Sequence, residues 1–325
     1  MKPAFHHKLL NGPFGDPCLL VRMSRERRSL LLDLGDIHAL SPAALNRVTD
    51  VFVTHTHIDH FIGFDTLLRA SLRKTSPLTL HGPAGIIRNV EGKLGGYSWN
   101  LIQHYPVTIT VIEYDGRSLC RASFSAGSGF IKQQSRRFRS DGLLLENPAF
   151  IVRAAVLDHG IPCLAFSLEE PFRINIDKDK LLKKNLSVGP WLTELKRKLR
   201  EDAAGGSLLI DGKRYPVKKL LDIVRIGEGQ KICFATDVGP GRDNSRKLIE
   251  LAKNADIFYC EAYFREKDRK FASERFHLTT RECGRIARLA GAKNLYLMHF
   301  SPRYTGQEED LVSEVRDEFG DSVSW

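Results

Sequence analysis

The sequence predicts an α/β protein in which two sheets are flanked by helices, and three observations lead there. Short β-branched and aliphatic runs recur from one end of the chain to the other. Amphipathic helical segments fall between groups of these runs. Strands and helices do not alternate regularly enough to build one parallel sheet.

The runs at residues 18–23, 29–34, 50–54, 107–114, 150–157, 163–168, 231–236, 257–260 and 294–298 read as buried or half-buried strands. Asp115-Gly116, Asp141-Gly142 and Asp211-Gly212 are turn dipeptides of the kind that close hairpins. Helical periodicity marks residues 61–73, 242–253, 279–290 and 307–319, and Thr279 and Thr280 cap the third with Glu282 in reach. Residues 178–221 differ: they are highly charged, show little β pattern and are broken by Gly189-Pro190 and Gly205-Gly206. The whole chain, residues 1–325, is therefore expected to form a single domain, with 178–221 as an inserted, projecting arm.

Composition narrows the class. With 27% charged and 42% hydrophobic residues over 325 positions, the chain is globular rather than disordered or collagen-like. No apolar run approaches the roughly 18 residues of a membrane span, and the first twenty residues do not read as a signal peptide. A cytoplasmic protein is expected. Its six cysteines, without a CxxC pair, read as reduced core residues. The formal charge is +10, and residues 178–219 hold twelve basic and five acidic residues, a local net of +7.

The densest chemical signal is Thr54-His55-Thr56-His57-Ile58-Asp59-His60, directly after an apolar strand. Extended backbone points His55 and His57 the same way, so both imidazoles reach one cation. Asp59 and His60, at the turn into the following helix, can face a second. Three further ligand-type residues end apolar runs: His159, Asp237 and His299. Alone, each has an ordinary reading, the histidines as hydrogen-bonded core residues and Asp237 as a helix cap. Together with the first loop they fit one shared metal site.

These residues resemble the metallo-β-lactamase superfamily and, within it, the ribonuclease Z branch. The branch resemblance rests on residues 158–166, Glu261-Ala262-Tyr263-Phe264, His277-Leu278-Thr279-Thr280 and residues 299–304, in order along nearly the whole chain. It implies the metallo-β-lactamase fold, an αββα sandwich with a dinuclear zinc site at one sheet edge. His55, His57 and His159 would hold one ion. Asp59, His60 and His299 would hold the other, with Asp237 between them. A ligand set of His and Asp suits zinc, and manganese is compatible with it. The interval from His60 to His159 is long for the branch.

The resemblance also implies the activity: a zinc-dependent phosphodiesterase, specifically an endoribonuclease that trims the 3′ end of precursor tRNA and leaves a 3′-hydroxyl. Asp59 would orient or deprotonate the attacking water, and His277 would protonate the leaving oxygen with Glu261 orienting its imidazole. Arg303 is a candidate for substrate phosphate, with an ordinary salt bridge as the alternative. The insertion corresponds to the arm that grips tRNA in ribonuclease Z. There Gly189, Pro190, Trp191, Lys196 and Arg197 are the candidate substrate-binding residues. Trp191 either stacks on RNA or packs the arm's own core. A second basic cluster, Lys132, Arg136, Arg137 and Arg139, extends the RNA footprint or decorates a loop. A homodimer is compatible with the resemblance. Two other functions remain: a hydrolase of small phosphodiesters or other esters on the same fold, and a non-catalytic RNA-binding protein with a structural metal site.

Overall fold

The computed structural model describes residues 3–24, 26–201 and 205–325, apart from the side chains of Gln134 and Ser135. Asp202, counted above in the basic stretch, lies outside the described residues. The chain divides into two compact units: Met1–Leu145, Val152–Leu168 and Lys231–Trp325 form the first, Glu146–Ile151 and Glu169–Gln230 the second.

In the first unit, eight strands pair in sequence order. They are β1 (Phe5–Leu9), β2 (Leu19–Met23), β3 (Ser29–Leu32), β4 (Val48–Phe52), β5 (Leu78–Pro83), β6 (Thr108–Tyr114), β7 (Ser118–Ser125) and β8 (Lys132–Arg139). Strands β3 to β6 run parallel, and the hairpin partners β1, β2, β7 and β8 are antiparallel to their neighbours. Helices α1 (Pro42–Leu45), α2 (Ile58–Phe61), α3 (Phe64–Ser71) and α4 (Ile86–Gly95) lie along this half of the chain. Strand alternation separates the two faces. Leu31, Val51, Val111 and Ala122 join Phe64, Leu68, Val90 and Leu94 of the helices in one core. From the other face Phe52 meets Phe166, with ring centroids 5.6 Å apart.

Phe166 belongs to the second, seven-stranded sheet, which takes β9 (Leu143–Glu146), β10 (Ile151–Asp158) and β11 (Pro162–Glu169) from the middle of the chain. Later strands complete it, and between them runs most of the second unit: β12 (Arg173–Ile176), α5 (Lys178–Lys183), α6 (Trp191–Arg200), β13 (Ser207–Ile210), β14 (Lys213–Pro216) and β15 (Val224–Gly227). The sheet then continues with β16 (Lys231–Ala235), β17 (Ile257–Glu261), β18 (Leu295–Met298) and β19 (Val323–Ser324), in spatial order β19-β18-β17-β16-β11-β10-β9. Of α7 (Arg242–Leu251), α8 (Arg269–Arg275), α9 (Thr280–Ala290) and α10 (Glu308–Phe319), the last two cover its outer face through Ile286, Ala287, Leu311 and Val315. The result is two facing sheets between helical layers. At the start of α9, the Thr279 hydroxyl accepts from the Glu282 amide and the Glu282 carboxylate accepts from the Thr279 amide. Such a box is worth about 1 kcal/mol.

Several elements differ from the sequence reading. Residues 132–139 are the edge strand β8, not a loop. Asp115-Gly116 and Asp211-Gly212 do close hairpins, whereas Asp141-Gly142 joins β8 of one sheet to β9 of the other. Residues 178–221 contain the β13–β14 hairpin, in which Asp211 and Gly212 both have positive φ, as a tight two-residue turn requires. All six cysteines are free. No described helix is long and apolar enough to cross a membrane.

Candidate metal centre

The site forms where the parallel strands of the two sheets end. Strand β4 leaves Phe52 and enters the loop that carries His55 and His57, and α2 begins at once, so Asp59 and His60 occupy its first turn. This loop is pinned from several sides. The Thr54 carbonyl accepts from Leu164 of β11 at 2.8 Å, the His60 carbonyl from Leu34 at 3.0 Å, and Gly63 donates to Leu34 at 2.9 Å. A side chain at Gly63 would put its Cβ 2.3 Å from the Gly35 carbonyl oxygen, so the loop returns past β3 only because this residue is glycine.

Around this loop the structure gathers His159, Asp237 and His299. Ligand atoms of His55, His57, His159 and Asp237 lie within 4.8 Å of one another, and so do those of Asp59, His60 and His299. The Asp237 carboxylate stands among them: Oδ2 is 3.0 Å from Nε2 of both His55 and His60 and 3.7 Å from Nε2 of His159. Its Oδ1 is 2.8 Å from Nδ1 of His299. The loop histidines and His299 form a continuous cluster, with His55 4.3 Å from His57 and from His60 between ring centroids. Asp237 does not cap α7, whose N-cap is Gly241.

The donor set fits a metal cofactor. His55 and His60 are fully buried, yet Nε2 of each lacks a partner in hydrogen-bond geometry despite the short distance to Asp237. Such nitrogens are costly unless a cation takes their lone pairs. Burial works against ionisation of Asp59 and Asp237, but the surrounding imidazoles outweigh it and hold both well below the usual carboxylate range. Burial also opposes charging of His60 and His299, and the neighbouring carboxylates, Asp237 foremost, overcome it, so both are raised. His57 and His159 are lowered, first by burial.

A shell behind the donors fixes their orientation, and two of its members carry no signal of their own in the sequence. Asp33, fully buried at the end of β3, takes His60 Nδ1 at 2.8 Å on Oδ2. The same carboxylate accepts from the Thr54 amide at 2.7 Å and hydroxyl at 2.9 Å. An Asp ending an apolar strand one strand away from the histidine loop is the only hint the sequence offers. Asn244 bonds both backbone groups of Asp158 and the carbonyl of Gly239, at 2.7–3.0 Å, tying the turn that bears His159 to the turn after Asp237. His159 Nδ1–H donates to the Phe276 carbonyl at 2.7 Å, which leaves Nε2 for the site. Backbone strain accompanies this convergence: Asp33, Asp237 and His299 all have φ near +55° to +60°.

His277 and Glu261 stand beside this cluster. Glu261 is fully buried, with Oε1 accepting from the Val238 and Leu278 amides and Oε2 2.9 Å from His277 Nδ1. Its carboxyl is pulled down to about 2, because the His277 charge and hydrogen bond overcome the opposing effect of burial. The His277 ring stacks on Tyr263 at 3.9 Å with an 8° interplanar angle, and its Nδ1 is 3.5 Å from Asp237 Oδ1. Glu261, His277, Asp237 and His299 form a third close group of donor atoms. Oε1 of Glu261 is thereby committed to two amides.

The remaining candidate residues lie elsewhere. Arg303 follows His299 on the same loop, its guanidinium over the rings of Phe264 and Phe271 at 5.3 and 5.0 Å and 3.9 Å from Asp268. In the second unit, Trp191 is buried with Leu181, Leu195, Leu208 and Ile223, and its indole N–H donates to Ser187 at 3.0 Å. Its ring is thus part of a small core and is not presented for stacking. Gly189 packs against that ring, Pro190 is exposed at the head of α6, and Arg197 pairs along the helix with Glu194 and Glu201. Lys196 lies on the same helix.

No family model matches the chain. Among curated proteins, a ribonuclease Z of Deinococcus radiodurans is 33% identical over 304 residues, covering 91% of this chain and 90% of that protein. The chain belongs to the ribonuclease Z family. Other ribonuclease Z relatives include one from Brevibacillus brevis, 29% identical over 86% of the chain and 78% of its own length. Solved structures agree on the fold. Human tRNase Z, short form, aligns with a TM-score of 0.53 at 22% identity over 90% of this chain and 92% of its own. A metallo-β-lactamase fold protein from Bacillus subtilis gives 0.55 at 16% identity over 97% and 94%. The αββα sandwich of this ribonuclease Z family member is therefore the metallo-β-lactamase fold.

Proposed function

We propose that this ribonuclease Z family member is a zinc-dependent endoribonuclease that cleaves precursor tRNA after the acceptor stem and leaves a 3′-hydroxyl. The observation that carries this reading is the convergence of six His and Asp donors, His55, His57, Asp59, His60, His159 and His299, around Asp237, in a chain of this family. His55, His57 and His159 would hold one zinc ion and Asp59, His60 and His299 a second, with Asp237 shared. Zinc at such a site supplies Lewis acidity, which makes water nucleophilic near neutral pH and neutralises charge on a phosphodiester.

The chain's own residues supply the rest. Asp59, half-buried and held as a carboxylate, would orient or deprotonate the attacking water. His277 donates a proton to the leaving 3′-oxygen. Glu261 would hold the ring for that step: by accepting a hydrogen bond from Nδ1–H it leaves Nε2 to carry the donated proton. Tyr263, stacked on the ring, keeps it from rotating. Arg303 would meet a substrate phosphate from the loop after His299.

The second unit would serve as the tRNA-gripping arm, through Gly189, Pro190, Lys196 and Arg197. Trp191 supports the arm from within. A cytosolic enzyme working on tRNA is consistent with this reading.

The test is a cleavage assay on a precursor tRNA with the divalent metal varied and with His57→Ala and Asp59→Ala as controls. Metal-dependent cleavage to a 3′-hydroxyl, lost in both variants while they remain folded, is expected. Full activity in either variant would sink the mechanism. Deleting 178–221 should abolish precursor cleavage and spare hydrolysis of a small chromogenic phosphodiester. Loss of both would remove the arm's assigned role.

A further inference from the structure

The net charge of +10 lies in two places, of which the arm is only one. Residues 115–140, which comprise the β7–β8 ribbon and its flanking turns, carry Arg117, Arg121, Lys132, Arg136, Arg137 and Arg139 against the single acid Asp115, a net of +5. With +7 in residues 178–219, the remainder of the chain is net −2. The ribbon falls in the long interval between His60 and His159.

Sheet register places this charge relative to the metal centre. A row of paired residues runs from Phe52 of β4 through His81, Ile112 and Arg121 to Arg136 of β8. The next rows, towards the end where β4 enters the histidine loop, bring Arg137 opposite Cys120, Phe138 opposite Leu119 and Arg139 opposite Ser118. Arg137 and Arg139 therefore lie at the same edge of the eight-stranded sheet as His55 and His57. Four strand spacings separate β4 from β8, about 19 Å across the sheet.

The local chemistry suits a polyanion. Arg121 and Arg136 face each other directly across the strands, an arrangement that like charges disfavour. Neither they nor Arg117 and Arg139 form an ion pair with any described carboxylate, and Arg137 has only Asp115 at 3.5 Å. All five guanidiniums are exposed, and Phe138 among them is 52% exposed. Arg136 and Phe138 share one face of β8 and Arg137 and Arg139 the other, so the strand offers cations on both faces, and an aromatic ring on one, to a phosphate backbone and an unstacked base.

We propose that the β7–β8 ribbon is a second RNA-binding surface, in which Arg136, Arg137 and Arg139 hold substrate phosphates while one phosphodiester lies over the metal ligands. This rests on the ribonuclease reading above. The competing explanation is that arginines on an edge strand only prevent edge-to-edge pairing between molecules.

The experiment compares the native chain, the triple variant R136Q/R137Q/R139Q and the charge-keeping triple R136K/R137K/R139K. It measures KM and kcat on precursor tRNA between 50 and 200 mM salt, with melting temperature and oligomeric state alongside. Each phosphate contact contributes about 0.7 to the slope of log affinity against log salt on single strands. Losing three flattens the slope by about two, so the KM excess of the Gln triple should shrink about 16-fold across that fourfold range. The Lys triple should keep the native slope. An unchanged KM and slope in a folded Gln triple would overturn the inference, and self-association of that variant with unchanged KM would assign the ribbon to edge protection instead. If the native chain fails to cleave precursor tRNA at any salt, the ribonuclease reading itself falls, and the ribbon inference with it.

Discussion

Asp33→Asn isolates the support behind the metal ligands. The substitution keeps volume and replaces one carboxylate oxygen by an NH2 group. Asp33 now accepts three hydrogen bonds from His60 Nδ1, the Thr54 amide and the Thr54 hydroxyl, at 2.7–2.9 Å. An amide offers one acceptor oxygen, so its NH2 must confront either the imidazole N–H or the Thr54 amide. The imidazole then loses its charge-assisted bond and turns freely or changes tautomer. Removing such an outer partner typically costs about 10- to 100-fold in metal affinity, or about 1.4–2.8 kcal/mol. The assay is zinc transfer to a chromophoric chelator, run beside thermal melting of the metal-free protein so that any loss of Thr54 anchoring is measured separately. Native zinc affinity in a folded Asp33→Asn protein would refute the view that Asp33 sets the His60 ring.

Three further outcomes are expected. Asp50, buried between the sheets beside Arg28, Thr49 and His81, is held at about 2 against an ordinary value of 3.8 despite the opposing effect of burial. Because its folded value is depressed, it contributes about 2 kcal/mol above pH 4, lost as pH falls from about 4 through 2. Urea unfolding of native and Asp50→Asn proteins should therefore differ at pH 5 and converge near pH 2. Trp191→Ala should cost the second unit about 3–5 kcal/mol, visible as lost hydrogen-exchange protection in residues 178–221. Zinc affinity should not change, since the ligands belong to the other unit. Glu261→Gln should lower kcat on precursor tRNA with little effect on KM, because it perturbs the His277 tautomer; a pure KM effect would contradict that role.

The parts legible in the sequence share a physical cause. Strands such as β16 and β17 are buried on both faces and so appear as apolar runs, at residues 232–235 and 257–260. The His55 to His60 loop stands out because four ligand-type residues in six positions have few other uses. Strands β7 and β8 were harder to read because an edge ribbon rich in arginine lacks the apolar signal of a core strand. Helix α4 is hard to read for a related reason, since Asn89, Gly92 and Gly95 dilute its helical character while Ile86, Val90 and Leu94 supply only one narrow apolar stripe. Asp33 and Asn244 act through hydrogen bonds to residues remote in sequence, a property that no local pattern encodes. Trp191 is ambiguous in sequence because an aromatic residue in a basic segment serves a core and an RNA base equally well.

The left-handed backbone at Asp33, Asp237 and His299 sets a rule for dissecting the centre. Asp, Asn and His are the non-glycine residues that best tolerate that conformation, so residue type at these strand ends answers to the backbone as well as to the cation. An alanine scan would confound the two demands, reporting main-chain distortion and lost coordination as one number. Asparagine at all three positions keeps the turn while changing the donor, and glycine keeps the turn while deleting the donor. Comparing those two series separates how much of the centre is chemistry and how much is the geometry of chain reversal.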